Sequence, residues 1–432
     1  MQASWRSEPG GRVSGTLTVP GDKSVSHRSL MLGGIAEGLT RVQGFLESED
    51  CLATLRALEA MGVGIERQGS GAIVVRGRGL GGLSQPAHSL DMGNAGTAIR
   101  LFTGLLCGQR FSSELFGDAS LMKRPMERVA RPLSDMGAMV HTTDGRPPVT
   151  VEGGRLLRGI QHHLEVASAQ VKSAILLAGL YAEGETTVLE PAVTRDHTER
   201  MLRAFGVRVE SSDLRVRLWP GPLTGCDLTV PGDFSSAAFF IVAALLAGEG
   251  PVEIRAVGVN PTRTGLLDIL RLMGARIEVC NQRRYGDEPV ADLHVYPGPL
   301  NGIDVPVGLV PLAIDEFPVL FVAAAAARGV TRVTGAAELR VKESDRIGVM
   351  AEGLRALGVR AEPSADGMLV EGGDLQGGVI DSHGDHRIAM SFAVAGLVSR
   401  QPIQIDDTNN VATSFPGFLD LARTCGFRLA PA

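Results

Sequence analysis

A short pattern that occurs six times constrains the fold of this 432-residue chain more than any other feature. In each copy a stretch with helical periodicity ends at a glycine, and a short β-like run follows. The glycines are Gly62, Gly137, Gly206, Gly274, Gly358 and Gly426. Each lies where a helix commonly ends with a residue of positive φ. Successive glycines are 75, 69, 68, 84 and 68 residues apart, and 432 divided by six is 72, so the repeat accounts for the whole chain.

Each repeat also contains a second helix, which follows a polar loop and is rich in small apolar residues. These helices are predicted to begin near Lys23, Asn94, Ser168, Ser235, Asp315 and Asp385. Runs such as 173–180 have almost no polar face, which predicts buried helices. Alternating segments such as 72–75 and 187–189 predict strands. One repeat is therefore predicted as a βαββαβ unit, close to the split βαβ motif, in an α/β chain with three units in each of two domains.

A near-duplicate sequence marks where the chain passes between the two domains. Val-Pro-Gly-Asp occurs at 19–22 and again at 230–233, 211 residues later, in each case before a buried helix. Pro-Gly pairs form turns, and we interpret both as domain crossings; the alternative is two turns that are alike by chance. The prediction is one domain at 22–230 and a discontinuous second domain at 1–21 and 231–432. Two adjacent crossings would form a hinge that opens and closes a cleft.

Composition limits the class of protein. The length exceeds the size at which a single core stops growing, and a net charge of −6 argues against a nucleic-acid or membrane-surface protein. Five widely spaced cysteines without a C-x-x-C pair indicate neither a disulfide framework nor a zinc site, and they favour a reducing cytoplasm. The longest apolar runs, 237–247 and 319–327, are too short for a membrane span of about 20 residues, and the first residues lack the apolar region of a secretory signal.

The loops ahead of the buried helices collect cations around a few carboxylates. The first such loop, 21–28, combines Lys23 and Arg28 with two serine hydroxyls at a helix N-terminus, where the helix dipole already favours an anion. An ordinary N-cap, and for 342–346 a solvated face with salt bridges, are the alternative interpretations. If these N-termini converge on the cleft, the ligands should carry several phosphate or carboxylate groups held by arginines.

Five blocks in this order resemble the signatures of the 5-enolpyruvylshikimate-3-phosphate (EPSP) synthase family, at 21–28, 93–100, 123–125, 339–346 and 385–390. The resemblance extends from near residue 12 to the end. It implies two domains, each of three βαββαβ units, arranged as an inverse α/β barrel. It also implies transfer of the enolpyruvyl group of phosphoenolpyruvate to the 5-hydroxyl of shikimate 3-phosphate in aromatic amino acid biosynthesis. No metal or organic cofactor is expected, and the resemblance is to cytoplasmic enzymes that we expect to be monomeric.

The resemblance also assigns residues to the two substrates. For shikimate 3-phosphate it implies Ser24, Arg28, Ser168, Ala169 and Gln170, with charge from Arg195 and Lys342 and contacts from Asp315 to the hydroxyls. For phosphoenolpyruvate it implies Lys23, Gly96, Arg124, Gln170, Arg346 and Arg387. Asp315 is the candidate to take the hydroxyl proton and Glu343 to protonate the methylene carbon, with Lys23 bridging the reacting groups.

Two alternatives remain open beside this interpretation. The sister enolpyruvyl transferase acting on UDP-N-acetylglucosamine shares the fold, but its loop cysteine aligns with Ala119 here. A non-enzymatic anion-binding module would gain nothing from Asp315 and Glu343 among the cations. One departure from the family is Thr413, where many members carry lysine. The stretches 168–172, 195–199 and 260–263 resemble the glyphosate-tolerant subgroup, whereas Gly96 stands where tolerant members carry alanine.

Overall fold

The computed structural model describes residues 3–432 and divides the chain into two compact units. Unit 1 contains the chain up to Pro20 together with Gly232–Arg283 and Pro289–Ala432, and unit 2 contains Gly21–Pro231 with Arg284–Glu288. Sequence analysis placed the boundaries at 21/22 and 230/231, and it assigned 284–288 to the other domain. This short segment belongs to unit 2 because Glu288 accepts from His197 Nδ1 at 2.7 Å and the Asp287 carbonyl accepts from Arg200 at 2.8 Å.

Thirteen helices and twenty-three strands make up the described part of the chain. The helices are α1 Lys23–Ile35, α2 Glu49–Ala60, α3 Gly96–Leu106, α4 Glu127–Asp135, α5 Ala169–Gly179, α6 His197–Ala204, α7 Phe234–Ala247, α8 Gly265–Leu272, α9 Val310–Ala313, α10 Phe317–Ala325, α11 Arg346–Ala356, α12 His386–Ala395 and α13 Phe418–Thr424. The strands are β1 Trp5–Glu8, β2 Thr16–Thr18, β3 Leu39–Gln43, β4 Gly64–Arg67, β5 Ala72–Arg76, β6 Leu90–Asp91, β7 Ser113–Phe116, β8 Met139–Thr143, β9 Arg146–Glu152, β10 Gln161–His163, β11 Thr186–Leu189, β12 Val209–Ser212, β13 Arg215–Leu218, β14 Asp227–Thr229, β15 Val252–Gly258, β16 Arg276–Tyr285, β17 Glu288–Tyr296, β18 Val330–Val333, β19 Arg360–Ser364, β20 Gly367–Glu371, β21 Gly378–Asp381, β22 Ile403–Asp406 and β23 Arg428–Pro431.

The strands form three sheets in each unit, in agreement with three repeats per unit. In unit 2 the strand orders are β14-β3-β5-β4, β6-β7-β9-β8 and β10-β11-β13-β12. In unit 1 they are β16-β17-β15-β2, β18-β20-β19 and β21-β22-β1-β23. Each unit 2 sheet has one parallel pair at its edge and antiparallel pairing in the rest. The predicted α/β repeat architecture is confirmed.

The order of elements inside a repeat differs from the predicted βαββαβ. In the second repeat the chain runs β6, α3, β7, α4, β8, β9, so a single strand separates the two helices and a hairpin follows the second. The reason lies in the hairpin turn, where Asp144 and Gly145 both have positive φ, at 51° and 73°. Asp-Gly is a preferred sequence for such tight turns, and it returns the chain antiparallel to β8 instead of sending it to the next buried helix.

Each crossing leaves a strand in one unit and starts a helix in the other. Strand β2 pairs with β15 in unit 1 before the chain enters α1 of unit 2, and β14 pairs with β3 in unit 2 before the chain enters α7 of unit 1. The two aspartates of the duplicated Val-Pro-Gly-Asp sequence cap these helices: Asp22 accepts from the Val25 N–H and Asp233 from the Ser236 N–H. The duplicated sequence therefore acts as a turn and an N-cap in both places.

Two separate hydrophobic cores stabilise the units. The repeat helices α1, α3 and α5 are almost fully buried in the core of unit 2, as are α7, α10 and α12 in that of unit 1. The six glycines of the repeat all have φ between 79° and 100°, as a helix end of this type requires. No helix among residues 3–432 is both long and apolar enough to cross a membrane.

Candidate active site

The close approach of α3 and α5 positions the first pair of polar side chains in unit 2. A Cβ on Gly104 of α3 would lie 2.1 Å from the Ala174 carbonyl oxygen of α5, so only glycine permits this packing. One turn earlier on each helix lie Arg100 and Gln170, because residues four apart share a helix face. The Arg100 guanidinium donates to Gln170 Oε1 at 2.5 Å, and Gln170 Nε2 donates to Thr97 Oγ1 at 2.9 Å. Gln170 is therefore held at the beginning of both helices.

Arg28 lies on α1 and is held by three oxygen atoms. Its Nε donates to Thr198 Oγ1 at 2.6 Å, and its terminal nitrogens donate to Ser173 Oγ at 2.9 Å and to the Ser24 carbonyl at 3.0 Å. Burial lowers the pKa of Arg28 to about 10, although Glu199 and Asp22 oppose that shift and Arg195 adds to it. The guanidinium is thus fixed and still charged at neutral pH, and these three hydrogen-bond partners are all uncharged. Such a group can exchange them for an anion.

A buried lysine with two carboxylates stabilises the elements around Arg28. Lys172 Nζ lies 2.8 Å from Glu190 Oε2 and 2.7 Å from Glu199 Oε1, and all three side chains are at most 5% exposed. Burial opposes the charge of Lys172, but Glu199 and Glu190 outweigh it, so its pKa is raised above the ordinary value. Thr194 contacts Glu190 through its hydroxyl. The network links α5 to α6, whose Thr198 binds Arg28.

Arg124 and Gly96 are neighbours at the beginning of α3. Arg124 is 6% exposed and donates to Asn94 Oδ1 at 2.6 Å, while Asn94 donates to Asp118 at 2.8 Å. A Cβ on Gly96 would lie 2.5 Å from the Arg124 terminal nitrogen and 3.3 Å from that of Arg100. The absence of a side chain at position 96 therefore makes room for two guanidinium groups.

The remaining predicted residues of unit 2 lie at helix beginnings. Lys23 is the first residue of α1 and pairs with the buried carboxylate of Asp50. Ser168 caps α5, with its hydroxyl accepting from the Val171 N–H at 3.4 Å, and Ala169 is the first residue of that helix. Arg195 is half-buried in the loop before α6. We call Lys23, Arg28, Arg100 and Arg124 the unit 2 cation set.

In unit 1, a second close approach positions the acidic groups. A Cβ on Gly353 of α11 would lie 2.3 Å from the Phe392 ring of α12. Two turns before these contacts, at the beginnings of the same helices, lie Arg346 and Asp385. Arg346 Nε donates to Asp385 Oδ2 at 2.8 Å, and a second bond of 3.2 Å joins NH2 to Oδ1. Asp385 also accepts from Ser344 Oγ at 3.0 Å and from the Arg387 N–H at 2.9 Å.

Arg346 also contacts both candidate proton-transfer groups. Its NH2 donates to Glu343 Oε2 at 2.7 Å, and its NH1 lies 3.5 Å from Asp315 Oδ1. Burial opposes the charge of Arg346, but Asp385 and Glu343 outweigh it and raise its pKa. Burial alone would raise the pKa of Asp385, and Arg346 reverses that effect so that it is lowered. Both groups are therefore ionised at neutral pH.

Asp315 is held between two further cations. Lys342 Nζ lies 3.3 Å from its Oδ1, and Arg387 donates to its backbone carbonyl at 2.9 Å. Asp315, Glu343 and Lys342 keep 12%, 18% and 22% of their side-chain surface, so a ligand can reach them, whereas Arg346 keeps 1%. We call Asp315, Glu343, Arg346 and Asp385 the unit 1 acid–base cluster.

Thr413, where the family pattern has lysine, lies in unit 1 and is buried. Its hydroxyl donates to the Asn410 carbonyl at 2.6 Å, and the neighbouring Ser414 lies 3.1 Å from His386 Nε2. The Asn410 amide in turn contacts the Gly384 carbonyl, directly before Asp385. Thr413 therefore supports the loop ahead of α12 and adds no charge there.

Sequence reasoning did not predict the partners that hold these groups in place. Ser173 and Thr198 beside Arg28, Glu190 beside Lys172 and Asp50 beside Lys23 had no assigned role. Their separations along the chain range from 18 residues for Lys172 and Glu190 to 170 for Arg28 and Thr198. No local spacing signals such pairs. The Asp385-His386-Arg387 block was recognised, but the bidentate contact of Asp385 with Arg346 was not.

The chemistry available differs between the two units. The unit 2 cation set offers fixed guanidinium groups and helix N-termini, which bind phosphate and carboxylate oxygens. The unit 1 acid–base cluster offers two accessible carboxylates on one buried arginine, an arrangement suited to moving protons in both directions. The unit 2 cation set therefore fits anionic ligands, and the unit 1 acid–base cluster fits a reaction with proton transfer.

Comparison with known proteins gives one consistent result. The family model for EPSP synthase (3-phosphoshikimate 1-carboxyvinyltransferase) matches residues 7–421. Two relatives have the name 3-phosphoshikimate 1-carboxyvinyltransferase. The one from Legionella pneumophila (strain Lens) is 55% identical over 424 residues, which cover 98% of this chain and 98% of the relative. The one from Alkalilimnicola ehrlichii (strain ATCC BAA-1101 / DSM 17681 / MLHE-1) is 58% identical over 424 residues, which cover 98% of this chain and 95% of the relative. A solved structure of EPSP synthase from Acinetobacter baumannii has a TM-score of 0.88 and 55% identity, with complete coverage of both chains. The two-domain inverse α/β barrel is thus the fold class of this chain.

Proposed function

The chain belongs to the EPSP synthase family and catalyses transfer of the enolpyruvyl group from phosphoenolpyruvate to shikimate 3-phosphate, and we propose how its residues divide that reaction. The observation that supports this division is the contact of one buried arginine, Arg346, with both Asp315 and Glu343. A binding module has no use for this arrangement, whereas an addition followed by an elimination needs two proton-transfer groups. The relatives do not favour the transferase that acts on UDP-N-acetylglucosamine.

Shikimate 3-phosphate is bound in this proposal by groups at the beginnings of α1 and α5. The phosphate exchanges for the neutral partners of Arg28 and takes donors from Ser24 and Ser168, with Arg195 adding charge. Ala169 and Gln170 provide the first turn of α5, where backbone N–H groups are unpaired by the helix. Asp315 and Lys342 bind near the 5-hydroxyl that reacts.

For phosphoenolpyruvate the proposal assigns three arginines, one lysine, Gln170 and Gly96. Lys23, Arg124 and Gln170 come from unit 2, and Gly96 leaves the space in which Arg124 is placed. Arg346 and Arg387 come from unit 1. An arginine presents a planar fork that matches a carboxylate or phosphate, which is why three of them suit a substrate with one of each.

The proton steps use the unit 1 acid–base cluster. Asp315 accepts the proton of the 5-hydroxyl as the hydroxyl oxygen forms a bond to C2 of phosphoenolpyruvate, and Glu343, which enters this step as the protonated acid, gives its proton to C3. Arg346 stabilises the Glu343 carboxylate that results. In the second half, Glu343 takes a proton back from C3, the C2–C3 double bond re-forms, and the C2–O bond to phosphate breaks. Asp315 gives the proton that it took from the 5-hydroxyl to the departing phosphate, so both carboxyl groups return to their starting states. Lys23 stabilises charge on the bridging oxygen.

The proposal extends to location and assembly. The five cysteines are all free in the structure, which suits a reducing compartment, and we place the enzyme in the cytoplasm. One chain carries both residue sets, so a monomer contains every group that the proposed reaction uses. A small-molecule activity of this kind needs no nucleic-acid or membrane partner.

A phosphate-release assay tests the activity directly. The purified chain should release one phosphate for each shikimate 3-phosphate consumed in the presence of phosphoenolpyruvate, and none when shikimate 3-phosphate is omitted. UDP-N-acetylglucosamine in place of shikimate 3-phosphate should give no release. Phosphate release from phosphoenolpyruvate with UDP-N-acetylglucosamine, and none with shikimate 3-phosphate, would contradict the proposal. Binding of both substrates without any phosphate release would indicate an anion-binding module.

A further inference from the structure

A cluster of metal-ligand side chains lies on the β16–β17 hairpin of unit 1. Glu278 and Cys280 belong to β16 and His294 belongs to β17, and one potential ligand atom of each lies within 4.8 Å of the others. None of the three takes part in the chemistry proposed above. They are partly exposed, so an ion can reach them from solvent.

One ring nitrogen of the histidine in this cluster has no hydrogen-bond partner within the described residues. His294 Nε2 is shielded from solvent and makes no hydrogen bond within the described residues. Glu253 Oε1 on the adjacent strand β15 lies 3.7 Å from this nitrogen, which is too long for a hydrogen bond. A histidine with a ring nitrogen that makes no hydrogen bond, in a cluster with a thiol and a carboxylate, can offer an electron pair to a metal ion.

We propose that Glu278, Cys280 and His294 form a binding site for a divalent transition-metal ion of the zinc class. Zinc accepts thiolate, imidazole and carboxylate ligands together, at about 2.0–2.3 Å and in tetrahedral geometry, which places ligand atoms about 3.5 Å apart. Side-chain rotation within the hairpin is enough to close the present spacing. The fourth ligand is Glu253 Oε1 or a water molecule, since Glu253 Oε2 is already bound to Thr16 and Arg255, each at 2.9 Å.

Ordinary cross-strand pairing explains only part of this cluster. Arg276 lies 2.7 Å from Glu278 Oε1 and stacks on Tyr296, whose hydroxyl donates to Glu278 Oε2 at 3.0 Å. These contacts satisfy Glu278 but leave His294 Nε2 unsatisfied. They also predict competition, because a metal ion must take Glu278 from Arg276. No sequence motif indicates a metal site here, because the ligands come from two paired strands and not from a local spacing.

The test uses the full, tag-free chain after reduction and removal of metals by a chelator. Equilibrium dialysis should show one equivalent of bound Zn²⁺, and titration with Co²⁺ should produce the near-ultraviolet charge-transfer band of a cobalt–thiolate bond. Cys280→Ser should abolish that band and weaken Zn²⁺ binding at least about tenfold. His294→Gln should weaken Zn²⁺ binding by a similar factor. Circular dichroism of each variant establishes that it is folded.

Two further variants make the test specific. Cys226→Ser removes another half-exposed cysteine, which lies in unit 2, and it should leave both the band and the stoichiometry unchanged. Arg276→Gln frees Glu278 and should tighten Zn²⁺ binding several-fold. The proposal is overturned if no saturable equivalent is found, if the cobalt band survives Cys280→Ser, or if folded His294→Gln binds Zn²⁺ as tightly as the unaltered chain.

Discussion

Arg346 contacts both carboxyl groups that the proposed reaction uses. Because Arg346 is buried and fixed, it also fixes the positions of these two groups. Since the guanidinium is 1% exposed and bound by Asp385, it cannot turn away from Glu343 or Asp315. Each carboxyl group therefore has a fixed position, while its exposed edge remains available to a substrate. Removing one of them should change proton transfer more than it changes the binding of anions.

Glu343→Gln tests whether Glu343 acts in proton transfer and not in substrate binding. The amide keeps the size of the side chain and can still accept from Arg346, but it transfers no proton. Turnover should fall by about 10²–10⁴, the usual contribution of a general acid or base, with little change in affinity for shikimate 3-phosphate. Steady-state kinetics and calorimetry measure the two effects.

Two comparison variants define what counts as a failure. Glu352→Gln alters an exposed glutamate on α11, the helix that follows Glu343 in the chain, and should leave turnover unchanged. Arg28→Ala should weaken shikimate 3-phosphate binding by about 1.5–3 kcal/mol, the range for a hydrogen bond to a charged group. Near-normal turnover in Glu343→Gln would show that another group protonates the carbon.

Gly96→Ala tests how the site distinguishes phosphoenolpyruvate from glyphosate, a slightly longer inhibitor of this family. The structure adds a step to the prediction from sequence, because the new methyl group would meet the Arg124 guanidinium at 2.5 Å. Arg124 must then leave its position beside Asn94. Overpacking of this kind costs about 1–3 kcal/mol, and the longer ligand should lose more of its affinity.

The measured quantities are the inhibition constant of glyphosate and the KM for phosphoenolpyruvate. Both should rise in Gly96→Ala, with the larger factor for glyphosate. Equal factors would mean that the methyl group acts entirely by displacing Arg124, so that position 96 itself does not touch the ligand.

At the scale of elements, the Lys172 network holds α5 and α6 together beneath Arg28. Lys172→Met leaves two carboxylates buried without their cation, and loss of one partner of a buried ion pair typically costs about 3–5 kcal/mol. The free energy of unfolding from denaturant titration should fall by an amount in that range. Shikimate 3-phosphate should also bind more weakly, because Thr198 on α6 holds Arg28.

An exposed pair provides the matched control for this prediction. Arg360 lies near Glu362 and Glu371 with 63% of its side chain exposed, so Arg360→Met should change neither stability nor substrate binding appreciably. If Lys172→Met unfolds at the same denaturant concentration as the unaltered chain, the buried network does not stabilise this region.

Elements were predicted more completely than the contacts between them. The buried helices begin within about two residues of the predicted starts, since a polar loop followed by a wholly apolar run has a single simple interpretation. Strand order inside the repeat was not predicted correctly, because alternating segments look alike whether they form a hairpin or a crossover. Contacts such as Arg28 with Ser173, 145 residues apart, arise from helix packing and have no local signal.

At the scale of the whole molecule, local cations oppose a net charge of −6. Attraction between Arg28 and a substrate phosphate is partly screened by salt, whose Debye length is about 10 Å at 0.1 M. Affinity for shikimate 3-phosphate should therefore decrease steadily as potassium chloride is raised. Calorimetry across a salt series measures the slope.

The slope of shikimate 3-phosphate affinity against salt concentration should depend on particular residues and not on net charge. Arg28→Ala should reduce it, whereas Arg360→Met, which changes net charge equally at an exposed site, should leave it unaltered. If the two variants change the slope by the same amount, the attraction comes from the overall charge of the molecule.

The position of β1 in its sheet has a consequence for folding during synthesis of the chain. Strand β1 lies between β22 and β23, so it pairs with two strands that are made much later. At about 5–20 residues per second, the roughly 420 residues between Glu8 and Arg428 take on the order of 20–80 s to synthesise. By then the strands of the three unit 2 sheets, which end with β14, have long been available to one another. Strand β1 thus remains without these two partners until β22 and β23 have been made, and its backbone donors and acceptors are open to pairing with other chains during that time.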